Sequence, residues 1–227
     1  AKGINATTAI EGNSLTEFEV QKRIKGDLPL PPSKEYLGKE IDNVLAACNL
    51  IAEEVYTHGK KEISVTDIKR FNQLVLKGID AEEHVVPGMI RHYSVGVARY
   101  RGAPHEDCEF LLEQLCHWLN QGFNDTPPEQ AIIYGVLKAI LAHVYIAWIH
   151  PFGDGNGRTA RLIELFILLS VGVPDASAQL LSNHYNQTRT EYYRQLDYTH
   201  KSGGDLTRFI QYATQGFVDG LKQQIDF

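Results

Sequence analysis

Residues 150–161 read His-Pro-Phe-Gly-Asp-Gly-Asn-Gly-Arg-Thr-Ala-Arg and lie between two apolar runs, 131–149 and 162–171. A turn that only joined two core helices would have no packing use for an imidazole, a carboxylate, an amide and a pair of guanidinium groups. Gly153, Gly155 and Gly157 lack Cβ atoms, so backbone N–H groups can turn inward and approach a ligand closely. With Asn156 or Gly157 opening the following helix, its unpaired N–H groups and positive dipole end form an anion site. Arg158 and Arg161 are spaced to share one face of that helix. Two guanidinium forks beside an anion nest suit a polyphosphate, whose oxygens each can grip bidentately. Asp154 is a hard oxygen ligand of the kind that holds Mg2+ beside phosphates. His150 can titrate near neutrality and stands at the mouth as a general base. Phe152 reads as an apolar plug fixing the loop to the core. Together these groups describe a nucleoside-triphosphate site with its own base.

The elements that position this loop are read from composition and punctuation. The chain has 227 residues, 43% hydrophobic and 22% charged, enough for one domain with an ample core. A net charge of −6 argues against direct, non-specific nucleic-acid binding. Cys48, Cys108 and Cys116 form no C-x-x-C pair, which fits buried thiols in a reducing, cytoplasmic setting rather than a zinc site. No signal peptide is visible, and the absence of an initiator Met reads as trimming at the N-terminus. Residues 131–149 are long enough to span a membrane. Lys138 and His143 interrupt the run and it ends in the polar loop, so a buried central helix, with no membrane contact, is expected.

Further helices follow from caps and breakers. A short N-terminal helix should end at Gly12 or Asn13, with Glu11 in its last turn, where the dipole disfavours a carboxylate and a compensating partner is needed. Thr16-x-x-Glu19 opens a helix over about 17–25, and a proline cluster ends it. Ser33 is placed to cap a long helix through Tyr56, and Ser64-x-x-Asp67 starts another to Gly78; both read as core packing only. Residues 87–104 alternate Arg91, Tyr93, Val95 and Val97 with smaller residues between glycines, which predicts a β-hairpin lying on the helical body. An amphipathic helix over 107–122 should bury Phe110, Leu111, Leu115, Trp118 and Leu119. Thr126-Pro-Pro-Glu129 reads as a capping box for the central helix, in which His143 is expected to be a satisfied core histidine. After a break at 172–174, one helix carries Tyr192-Tyr193, and Asp205 caps a final one through Phe217.

The run at 150–161 resembles, position for position, the signature of the Fic (Fic/Doc) family, His-x-Phe-x-[Asp/Glu]-Gly-Asn-Gly-Arg-x-x-Arg. The N-terminal segment, with Thr7 and Glu11-Gly12, resembles that family's inhibitory motif, [Ser/Thr]-x-x-x-Glu-[Gly/Asn]. The resemblance implies an all-α, Fic-type domain over 1–227, with about eight helices and one small β-hairpin flap. Within it, 1–13 would be the inhibitory helix, 87–104 the flap, and 126–171 the central helix, loop and site helix. It implies that Glu11 reaches the site and pairs with Arg161. It further implies that the flap holds a target protein's backbone by strand addition, with Val97, Ala98, Arg99 and Tyr100 near the nucleotide. One tyrosine of the pair, taken as Tyr192, would line the adenine pocket. Where some relatives contact the base through Asn, this chain has His200, which leaves nucleotide preference open.

The implied reaction is transfer of AMP from ATP to a Ser, Thr or Tyr hydroxyl of a target protein. His150 would deprotonate the hydroxyl, Asp154 would bind Mg2+, and Gly153, Gly155, Asn156 and Gly157 would hold phosphate, with Arg158 and Arg161 toward the β- and γ-phosphates. The same site would also serve removal of AMP, another nucleotidyl or phospho-transfer, or a non-catalytic nucleotide-sensing module of a larger protein. A homodimer is compatible with all of these readings.

Overall fold

The computed structural model describes residues 1–80, 82–97, 100–121 and 126–225, with the side chains of Val97 and Tyr100 outside that description. The architecture is all-α. Among the described residues the helices are α1 (Lys2–Ala9), α2 (Glu17–Ile24), α3 (Glu35–Tyr56), α4 (Val65–Val75), α5 (Cys108–Gln121), α6 (Ala131–Ile149), α7 (Asn156–Ser170), α8 (Asp175–Ala178), α9 (Leu180–Gln187), α10 (Arg189–Lys201) and α11 (Thr207–Ile225). The count exceeds the expected eight partly because the stretch after Pro174 breaks into short α8 and α9.

Side-chain caps start α2 and α4, where Thr16/Glu19 and Ser64/Asp67 form reciprocal boxes. Two other expected caps are not used. The chain enters α3 and α6 through 3-10 turns, Pro32–Lys34 and Pro128–Gln130, so neither Ser33 nor Thr126 caps a helix. Proline already fixes φ at the first helical position and needs no N–H partner there. Asp205 accepts from the Thr207 amide at 2.9 Å just ahead of α11.

On α5 the buried stripe is Cys108, Leu112, Leu115, Cys116 and Leu119. Phe110 and Trp118, expected inside, lie off it and are 59% and 37% exposed. Regular pairing in the 87–104 region is confined to β1 (Gly96–Val97) and β2 (Tyr100–Arg101), antiparallel, with Gly96 opposite Arg101. The alternation at Arg91, Tyr93 and Val95 makes no strand, because Arg91 turns inward as a buried anchor.

At the centre, α6 packs along α7, and α7 also meets α1, α3, α4 and α8. All of α7 except Gly157 and Ser170 is buried, so its polar residues must be satisfied by protein or by a ligand. Pro128–Ile149 is long and apolar enough to cross a membrane, and half of its 18-residue apolar window is buried by the rest of the fold. Its exposed part includes Ile132 and Ile133, so the expected burial holds for the C-terminal part of α6 and not for its first turn. α1 lies against α9, α3 and α2 and also meets α7, which brings residues near 11 to the start of the site helix.

Candidate active site

The central helix ends at His150, whose backbone is left-handed with φ 48°, alone among described non-glycine residues. Such a backbone costs roughly 1–2 kcal/mol in an L-residue. Arg91 holds it in place. That side chain, 4% exposed, donates from Nε to the His150 carbonyl at 2.7 Å and from Nη2 to Ile149 at 3.2 Å and Ala103 at 2.6 Å. Nη1 reaches the Tyr93 carbonyl at 2.6 Å, and the Arg91 amide donates to Pro151. One guanidinium thus satisfies orphan carbonyls at the end of α6 and staples Tyr93 and Ala103 beside the loop.

Burial pushes the His150 pKa down from 6.5 to about 4, with the Arg91 charge adding to it and the Ala147 carbonyl and the Glu11 and Asp154 carboxylates partly opposing. The ring is therefore neutral at neutral pH and able to accept a proton.

The loop is pinned from beneath. Phe152 is 1% exposed, as its role as a plug requires. Asn156 donates to the Phe152 carbonyl at 2.8 Å and accepts from its amide at 2.9 Å. The Asn156 side chain is thus engaged inside the loop, and its backbone N–H, at the first position of α7, is the part of the residue left to meet an anion. Asn72, fully buried, donates to the Asp154 carbonyl at 2.9 Å and accepts from the Gly88 amide at 2.9 Å, joining α4, the loop and the flap base.

The glycines have separate uses. A Cβ at Gly153 would collide with the Tyr93 hydroxyl. Gly155 adopts φ 75° as the N-terminal boundary of α7, which has no side-chain cap, so the first-turn N–H groups stay open. A Cβ at Gly157 would strike the Glu11 carboxylate, which places that carboxylate at the N-terminal turn of α7.

Glu11 lies one residue past the C-cap Ile10, not within α1, and Gly12 at φ 103° turns the chain there. Its carboxylate accepts from Arg161 Nη2 at 2.5 Å, and the same nitrogen donates to the Thr7 carbonyl at 2.9 Å. The partner that the sequence position demanded is therefore Arg161. Burial works to raise the Glu11 pKa, but the Arg161 charge and hydrogen bond, with Arg158 and Arg189, outweigh it and hold the group below 4.5.

Arg161 is 2% exposed and Arg158 5%. Arg158 donates to Glu40 at 3.0 Å and to Asp154 at 3.2 Å. The Nε and Nη1 of Arg161 and the Nε of Arg158 are buried with no hydrogen-bond partner, so three cationic N–H positions stay open. Buried donors of this kind call for an acceptor. Asp154 is half exposed, its side chain at 49%. No group of three or more His, Cys, Asp or Glu side chains that could hold a metal occurs among the described residues. The donor set fits Mg2+ rather than a dedicated cage metal, since Mg2+ is held by one or two carboxylates together with phosphate oxygens and water.

Tyr192 is 3% exposed, and its hydroxyl meets His143 Nε2 at 2.8 Å. It belongs to a buried cluster in which His143 Nδ1 lies 3.2 Å from Glu164 and the Tyr185 hydroxyl donates to Glu164 at 3.0 Å. His143 is thus the core histidine expected. Tyr193 is 45% exposed, has its hydroxyl 3.4 Å from the Ile10 carbonyl, and lies beside Glu11. Both tyrosines of the pair feel the Arg161 and Glu11 charges, Tyr192 from the buried side and Tyr193 from the exposed one. His200 is exposed in the last turn of α10. Ala98 and Arg99 lie outside the described residues, as do the side chains of Val97 and Tyr100; the backbones of Val97 and Tyr100 pair in the ladder.

Glu40, Asn72 and Asn13 escaped the sequence reading of the site. Asn72 follows Phe71 on the face shared by Ile68 and Val75, and Glu40 stands beside Ile41 between Leu37 and Val44. A polar residue on an apolar stripe was the available signal.

Residues 62–168 match the model of the Fic/DOC family. Among curated proteins, the chain is 30% identical over 219 residues to "Protein adenylyltransferase fic-1" of Caenorhabditis elegans, covering 96% of this chain and 40% of that protein. It is 28% identical to "Protein adenylyltransferase Fic" of Drosophila virilis, covering 91% and 39%. The chain therefore spans about two fifths of the length of the curated relatives it matches. A solved Fic-1 structure from C. elegans superposes with TM-score 0.77 at 28% identity, covering 98% of this chain and 61% of that one. A Fic family protein from Desulfovibrio desulfuricans superposes with TM-score 0.81 at 24% identity, covering 99% and 64%, which speaks for the fold.

Proposed function

We propose that this chain, which belongs to the Fic/DOC family, transfers AMP from ATP to a Ser, Thr or Tyr hydroxyl of a target protein and is held inactive by Glu11. The observation that carries the reading is the carboxylate of Glu11, seated at the open N-terminus of α7 against Arg161, where an anionic phosphate would otherwise lie.

With Glu11 withdrawn, Arg161 and Arg158 offer their open N–H groups to the outer phosphates, beside the first-turn amides of α7. Anchoring there leaves the α-phosphorus as the exposed electrophile. His150, neutral at pH 7, accepts the proton of the incoming hydroxyl as its oxygen bonds to the α-phosphorus. The bond from that phosphorus to the bridging oxygen breaks, and pyrophosphate leaves. Nearby phosphate charge would raise the imidazole pKa back toward neutrality, where a general base contributes about 10²–10⁴-fold. A Mg2+ ion at Asp154 would neutralise phosphate charge and polarise the α-phosphoryl group. Most of the remaining acceleration is positioning. The flap would present the target's backbone by strand addition next to His150. Three free thiols, two of them buried on α5, suit a reducing compartment such as the cytoplasm.

The test is label transfer from α-³²P-ATP in the parent, Glu11→Gly and His150→Ala chains, incubated with lysate. Glu11→Gly should label protein strongly and His150→Ala should not. A Glu11→Gly chain that binds ATP yet stays as inert as the parent would sink the inhibitory role.

A further inference from the structure

Glu40 belongs to α3, which the sequence assigns to packing, yet its side chain is 15% exposed and stands between Arg158 and Asn13. One oxygen accepts from Arg158 Nη1 at 3.0 Å. The other accepts from Asn13 Nδ2 at 2.7 Å. Asn13 is 7% exposed and fully engaged: Nδ2 also donates to the Leu37 carbonyl at 3.0 Å, and Oδ1 accepts from the Leu15 amide at 3.0 Å. It follows Glu11 by two residues, so it fixes the turn that carries the inhibitory carboxylate.

We propose that Glu40 is a positioning residue whose two oxygens hold the phosphate clamp Arg158 and the Glu11-bearing turn together. The claim rests on the triphosphate reading above and adds a coupling to it. Asp154 and Glu40 occupy the two terminal nitrogens of Arg158, and the guanidinium plane is thereby fixed with Nε left unpartnered. A nearly buried carboxylate persists only if it is paired, and both of its partners here are functional segments rather than core. When a phosphate draws on Arg158, the carboxylate that restrains Asn13 changes its charge balance. When the turn lifts, Arg158 loses part of its orientation.

Glu40→Gln isolates the effect, since both neighbours are donors and a glutamine amide has one acceptor oxygen; one partner must be lost. In the Glu11→Gly background, Glu40→Gln should raise KM for ATP about tenfold, the share expected from one misaligned charge-assisted contact, with a smaller change in kcat. Asn13→Ala in that background should raise KM for ATP less than Glu40→Gln does, because Arg158 keeps the Glu40 carboxylate and loses only the restraint that Asn13 places on it. In the Glu11-bearing chain, Glu40→Gln and Asn13→Ala should each speed hydrogen exchange of amides 10–15, with Glu40→Asp restoring protection in part and thermal unfolding confirming that each variant is folded. An unchanged KM in Glu11→Gly/Glu40→Gln would overturn the claim, as would exchange at 10–15 that responds to Asn13→Ala and not to Glu40→Gln. Inertness of Glu11→Gly with Glu40 intact would instead count against AMP transfer, and the exchange arm would still decide the role of Glu40.

Discussion

Replacing Glu11 by Gln removes one charge and almost no volume, and the structure sets opposite signs for its effects on activity and stability. Arg161 is 2% exposed, so it meets the Glu11 carboxylate at its protein end with little water. Two unit charges about 4 Å apart interact by about 4 kcal/mol at an effective dielectric of 20. The Glu11 side chain is 31% exposed, and part of that energy is returned to solvation. A net preference of about 2–3 kcal/mol for the closed arrangement is consistent with a charge-assisted hydrogen bond. Each ~1.4 kcal/mol is a factor of ten, so AMP transfer at subsaturating ATP should rise roughly 30- to 150-fold in Glu11→Gln. The same change leaves a buried guanidinium without its counter-charge, so the ligand-free protein should lose about 2 kcal/mol of stability, and ATP should restore it. The assay is initial-rate label transfer from α-³²P-ATP across an ATP titration, with urea unfolding with and without nucleotide. A rate within twofold of the parent, with unchanged ATP affinity, would refute the reasoning. So would a gain in ligand-free stability.

Three further outcomes follow from the same geometry. The His150 pKa falls from 6.5 in the unfolded chain to about 4 in the fold, so the unfolded state binds the proton more readily between those values. Stability should therefore be undiminished above pH 6.5 and fall by on the order of 3 kcal/mol as pH drops to 4; His150→Gln should flatten that slope in urea titrations, and an unaltered slope would exclude the burial argument. Arg91→Met removes the donor to carbonyls of His150, Tyr93, Ala103 and Ile149, and should cost about 3–5 kcal/mol in chemical denaturation, against less than about 1 kcal/mol if Arg91 were a surface residue. His143→Leu leaves the Tyr192 hydroxyl and Glu164 short of a polar neighbour; about 1–3 kcal/mol per unsatisfied group should appear as a lower Tm, and an unchanged Tm would mean that water replaces the ring.

Locally encoded readings held at some caps and failed at others, for Ser33 and Thr126 are displaced by proline-led 3-10 turns. Thr16/Glu19 and Ser64/Asp67 are complete within four residues, and both caps form. The loop at 150–161 is equally local: its glycines are needed where they stand, and Arg158 and Arg161 share a helix face because they are one turn apart. Readings that needed a partner from elsewhere fared unevenly. Tyr192 and Tyr193 are adjacent and chemically identical, and only the packing of α10 on His143 and Phe209 decides which one is buried. The side-chain amide of Asn156 is taken at both ends by Phe152, a pairing within four residues that the sequence reading did not include.

The sequence by itself determined the helical class, the apolar frame of α6 and α7, and the set of polar and charged groups gathered in the 150–161 loop, because helix periodicity and turn chemistry act over a few residues. The tertiary structure alone decided that Arg158 is shared by Glu40 and Asp154, that Arg91 closes the end of α6, and that Glu11 lies at the mouth of α7. Those contacts join residues 59 to 150 positions apart or, for Asp154, depend on a loop conformation, and such pairings are fixed by how whole helices pack rather than by any short pattern in the chain.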